Sequence, residues 1–76
     1  MTVTVYTKPD CPACLFTKQT LDQLNIPYQE VDLIESPTAL AKIRDEWGFN
    51  QAPVVETKDD VWSGHRPAKL VELVED

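Results

Sequence analysis

The sequence predicts a single α/β domain, spanning residues 1–76, in which a four-stranded mixed sheet built in the order β-α-β-α-β-β-α carries helices on both faces. Three observations predict it. The chain has 76 residues, 42% of them apolar, which is too short for two cored units and enough for one compact core. Apolar residues recur with period two in short stretches and with helical spacing in longer ones. Prolines stand at positions 12, 37 and 67, where each helical pattern begins, and a first helical turn tolerates their missing N–H.

Val3 and Val5 alternate with Thr2, Thr4 and Tyr6, a β-branched and aromatic pattern that predicts the first strand before Lys8-Pro9-Asp10 breaks it. From Pro12 to about Asn25, Cys14, Thr17, Leu21 and Leu24 fall on one helical face. Asn25-Ile26-Pro27 ends that helix. Tyr28 to Leu33, with Val31 and Leu33 alternating against Glu30 and Asp32, predicts a second strand. Strand, helix and strand within about 30 residues form a βαβ unit with parallel strands and a right-handed crossover. Ser36-Pro37 reads as a capped helix start; Leu40, Ile43 and Trp47 form its buried stripe and Gly48 its C-terminal cap. Val54 to Thr57 and Val61 to Ser63, joined by Lys58-Asp59-Asp60, read as a hairpin that adds antiparallel strands. Pro67 opens a last helix that turns Leu70, Leu73 and Val74 inward.

Thirteen acidic residues against seven basic ones leave a net charge of −6, the wrong sign for neutralising phosphates, so neither nucleic acid nor an anionic membrane is expected as a partner. Residues 1–27 are neutral, and the whole excess lies in 28–76. No apolar run approaches the roughly 18 residues of a membrane span. The opening Met-Thr-Val-Thr-Val-Tyr has none of the features of a secretory signal, so a cytoplasmic location is expected. With no excess apolar surface pattern, the expected state is a monomer.

A reducing compartment disfavours a permanent disulfide, and two cysteines three positions apart would staple almost nothing. Cys11-Pro12-Ala13-Cys14 therefore needs another explanation, and its place at a strand-to-helix junction supplies one. Unpaired N–H groups and the positive end of the macrodipole favour an anion there, so Cys11 is expected to ionise more readily than a free thiol. Three residues along a helix return Cys14 to within about 60° of Cys11, close enough for a disulfide to open and close. A metal site is not expected, because no second cysteine pair exists and His65 is the only histidine. Lys8 should favour the Cys11 thiolate and Asp10 oppose it.

Thr7-Lys8-Pro9-Asp10-Cys11-Pro12-Ala13-Cys14, Gln51-Ala52-Pro53-Val54-Val55 and Trp62-Ser63-Gly64-His65-Arg66-Pro67 together resemble the NrdH-type redoxins, which are glutaredoxin-sized members of the thioredoxin-fold superfamily. The likeness covers essentially the whole chain, and the Trp-Ser-Gly-x-Arg-Pro segment is far more specific than the cysteine pair. It implies a dithiol-disulfide oxidoreductase with Cys11 and Cys14 as its redox-active pair and no cofactor. It also implies thioredoxin reductase as electron source and the large subunit of a class Ib ribonucleotide reductase as target. Lys8, Pro12, Ala52, Pro53, Trp62, Ser63, Gly64, His65 and Arg66 become the partner-binding residues. For Ala52-Pro53 the resemblance implies a cis bond facing the cysteines, with adjoining backbone free to pair with an extended substrate; the residues alone ask only for a proline at a strand start.

His65 departs from the family pattern, which usually places phenylalanine there. It is expected to make a surface or partner contact, and an imidazole close to Cys11 would make the thiolate respond to pH near 6.5. Trp47 and Trp62 read as core or half-buried residues. The alternative functions are a glutathione-dependent glutaredoxin and a module bridging an iron–sulfur cluster through Cys11. Against both, Gln51-Ala52-Pro53 stands where glutaredoxins carry Thr-Val-Pro, and Ser63-Gly64-His65 lacks their paired glycine.

Overall fold

The structure, a computed structural model, describes residues 2–74. Its elements are β1 (Thr4–Thr7), α1 (Pro12–Gln23), β2 (Gln29–Asp32), α2 (Pro37–Ala41) continuing into a π-helical turn (Lys42–Glu46), β3 (Val54–Glu56), β4 (Val61–Ser63) and α3 (Pro67–Glu72). The sheet order is β2-β1-β3-β4. β1 runs parallel to β2, with Tyr6 opposite Val31, and antiparallel to β3, with Val5 opposite Val55. β3 pairs antiparallel with β4, and Val55 faces Trp62. This is the mixed four-stranded sheet of the thioredoxin fold.

Because side chains alternate across a strand, the inner strands feed two cores. Val3, Val5, Val55 and Trp62 pack with Leu21 of α1 and Leu70 of α3 on one face. Tyr6, Leu33 and Val54 pack with Ile43 on the other. Val5, Leu21, Val54, Val55 and Leu70 are fully enclosed, and each such side chain contributes about 1.5–3 kcal/mol relative to exposure.

Local chemistry sets the element ends. Ser36 Oγ accepts the Ala39 N–H at 3.3 Å and caps α2. Gly48, at φ +71°, takes the left-handed conformation that follows the π-helical turn.

Two expected core positions move outward. Leu40 is exposed, and Ala39 packs instead against the cluster holding Ile43 and Trp47. The buried row therefore runs at spacing four. It continues through a widened turn in which the Trp47 N–H donates to the Lys42 carbonyl, five residues back, at 3.3 Å. Val74 is likewise exposed, because α3 ends at Glu72 and leaves Leu73 as its last packed residue. No helix among the described residues is long and apolar enough to cross a membrane.

Candidate active site

β1 delivers the chain to the turn Lys8-Pro9-Asp10, where Asp10 reverses direction at φ +57°, a conformation that aspartate tolerates better than most residues. Cys11 follows with extended backbone and serves as the N-cap of α1. The Cys14 N–H donates to Cys11 Sγ at 3.1 Å. One of the helix's orphan donors thus points at a sulfur. Cys14 sits on the inner stripe of α1 and is 2% exposed, while Cys11 is only half-buried. The two are joined as a disulfide, with Cα atoms 5.2 Å apart.

The approach to β3 lies opposite. Ala52-Pro53 is cis, and the Ala52 carbonyl oxygen is 3.9 Å from Cys11 Sγ. Both side chains are buried, so this row offers the Ala52 backbone rather than side chains; Pro53 has no N–H to give. The segment after β4 is tied to the same row: Ser63 Oγ–H donates to the Gln51 carbonyl at 2.7 Å. The Gly64 N–H donates to the Pro53 carbonyl at 2.7 Å. Gly64 has φ +88°, a value at which a side chain would be strained. Arg66 Nε–H turns back to the Ser63 carbonyl at 3.1 Å, and His65 Nδ1 lies 2.8 Å from Thr17 Oγ1 on α1.

On the other side of the cysteines is an open groove of about 650 Å³, lined by Lys8, Asp10, Cys11, Pro12, Cys14 and Glu30 among others. Glu30 Oε2 accepts from Thr7 Oγ1 at 2.8 Å and from Lys18 Nζ at 3.1 Å. These two donors, Thr7 first, hold the Glu30 carboxyl below the usual carboxylate range. Leu15 and Phe16, directly after Cys14, are exposed.

The fold thus gathers Cys11, Cys14, Pro12, Ala52, Pro53, Ser63, Gly64 and His65 at one end of the sheet, with Lys8 on the groove rim and Arg66 exposed at the outer end of the loop. Trp62 is different: at 6% exposure it belongs to the core beside Val55 and supports the loop from beneath. The His65 imidazole is engaged with α1 rather than with Cys11. Sequence reasoning placed Thr17 on one helical face with Cys14 and Leu21 without seeing its partner, and it missed the Thr7–Glu30–Lys18 cluster. A hydroxyl on an otherwise apolar stripe was the available signal for the first, since buried hydroxyls are nearly always paired. No group of three or more metal-ligating side chains is present among the described residues.

Comparison with known proteins agrees with this geometry. The Glutaredoxin family model matches residues 3–62. The glutaredoxin-like protein NrdH of Lactococcus lactis is 38% identical over 71 residues, covering 93% of this chain and 97% of that protein. Its Escherichia coli namesake is 36% identical over 73 residues, covering 96% and 89%. The solved E. coli NrdH-redoxin, described as glutaredoxin-like with a thioredoxin-like activity profile, superposes with a TM-score of 0.95 at 33% identity, over 100% of this chain and 99% of that one. The chain therefore belongs to the glutaredoxin family, among its NrdH-type members, and is a thiol-disulfide oxidoreductase.

Proposed function

We propose that the protein reduces disulfides of protein partners by dithiol exchange, with Cys11 attacking and Cys14 resolving. The observation that carries this reading is the Cys14 N–H directed at Cys11 Sγ at the head of α1, an arrangement that favours the thiolate, the reactive form. In the first step Cys11 thiolate attacks one sulfur of the target disulfide; a mixed disulfide forms and the other target sulfur leaves as a thiolate. Cys14 thiolate then attacks Cys11 Sγ, releasing the second target thiolate. Two electrons pass to the target, which takes up two protons from solvent, and Cys11–Cys14 is left oxidised. The chemistry needs no metal or organic cofactor.

The partner meets the half-buried Cys11, Pro12, the backbone of Ala52 held by the cis bond to Pro53, and the edge formed by Ser63, Gly64, His65 and Arg66, with Lys8 alongside and Trp62 beneath. As the resemblance to NrdH-type redoxins implies, we assign thioredoxin reductase as electron source and the class Ib ribonucleotide reductase large subunit as target, for a monomer working in the cytoplasm. NADPH consumption with a protein disulfide tests the assignment, comparing thioredoxin reductase with glutathione plus glutathione reductase. Turnover with thioredoxin reductase alone is expected. Turnover only with glutathione would make this a glutathione-dependent glutaredoxin instead.

A further inference from the structure

We propose that His65 is a positioning residue for the exchange reaction: through Thr17 it clamps the Ser63–Arg66 loop to the helix that carries the cysteines. The proposal rests on the function assigned above and specifies how its docking edge is held. Thr17 has no exposure and lies on the same stripe of α1 as Cys14 and Leu21. Its hydroxyl lies 2.8 Å from His65 Nδ1. The other tethers of the loop run elsewhere, from Ser63 to Gln51 and from Gly64 to Pro53. Loop and cis-proline row are therefore tied to each other, while α1 meets the elements on either side of the loop through the packing of Leu21 with Trp62 and Leu70. Among the described residues, the Thr17–His65 pair is the side-chain hydrogen bond that joins the loop to that helix.

The surroundings assign the ring to this task. Phe16, also on α1, packs against the imidazole with ring centres 6.1 Å apart and planes inclined at 51°. Charged groups on the adjoining elements are turned to other partners: Lys18 to Glu30, Arg66 Nε to the Ser63 carbonyl, and Lys69 to Asp60. A phenylalanine at position 65 could pack on Phe16 but would offer nothing to the Thr17 hydroxyl. A protein partner must meet Cys11 and the loop together, and fixing one against the other lowers the ordering cost of docking. A small disulfide that reaches Cys11 alone draws little from it.

The test uses pre-reduced protein with insulin as a protein disulfide and cystamine as a small one, reading the ratio of the two second-order rate constants. In His65→Phe and in Thr17→Val the insulin-to-cystamine ratio should fall about five-fold, the scale of one net hydrogen bond. The double variant should fall no further, since both changes remove one interaction. His65→Asn, which returns an acceptor to the position, should restore most of the ratio. Amide hydrogen exchange of residues 63–66 should quicken in His65→Phe and Thr17→Val and slow again in His65→Asn. An unchanged ratio, additive losses, or unaltered exchange would overturn the clamp. A wild-type protein that reduces neither disulfide would instead sink the proposed function, and the exchange data would still decide the clamp.

Discussion

At the scale of the residue, the two cysteines differ by burial and by what their sulfurs receive. Cys11 Sγ takes a backbone N–H and is half-buried, whereas Cys14 is enclosed on the inner stripe. Cys11→Ser should abolish reduction of a protein disulfide. Cys14→Ser should complete the first attack and stop, leaving a mixed disulfide visible by mass spectrometry; normal turnover by that variant would refute the two-thiol scheme. Glu30 makes a prediction of another kind. Its folded-state carboxyl is held low, so the contribution is present above the ordinary carboxylate pKa and is lost as pH falls through the lowered one. Denaturant unfolding should show the wild type more stable than Glu30→Gln at pH 7, by a margin that solvent screening keeps modest. The two curves should converge as pH drops below about 4.5, the unfolded range.

At the scale of the element, periodicity and turn chemistry located the four strands and three α-helices of the described residues, because each local preference agrees with the final fold. The second helix shows where local reading stops. Leu40 and Ala39 both lie near the direction of Ile43, at about 60° and 40° to opposite sides, and hydrophobicity alone selects the leucine. The fold selects the alanine, because the widened turn over Lys42–Glu46 carries a spacing of four on to Trp47. No residue type announces that turn. Ile43→Ala, emptying a site 2% exposed, should cost about 2–5 kcal/mol in thermal or denaturant unfolding. Leu40→Ala should cost under about 1 kcal/mol. Equal losses would return Leu40 to the core.

At the scale of the whole molecule, the cysteine pair was legible because its geometry is local, three residues and one helical turn. The family likeness named further residues of the site, but the contacts that join them were not legible. Thr17 meets His65 across 48 positions and Ser63 meets Gln51 across 12, and such pairs exist only once the sheet has brought α1, β3 and the loop after β4 to one end. The cis bond at Ala52-Pro53 came from the family likeness, since composition carries no sign of it. The same sheet has a property unrelated to redox chemistry. It ends at β2, leaving an outer row of peptide donors and acceptors of the kind on which strands of neighbouring molecules can add. A second molecule laying its own β2 there would crowd Glu30 and Asp32 against their counterparts; Lys18 offsets part of the Glu30 charge, and the like charges that remain oppose such growth. Thr7 and Lys18 keep Glu30 ionised further into acid than an ordinary glutamate, so this electrostatic fence should outlast mild acidification. Light scattering should find single molecules at neutral pH and association once that carboxylate takes up its proton, and Glu30→Val should associate at neutral pH. The contact that holds one exposed carboxylate in place also governs how closely neighbouring molecules can approach.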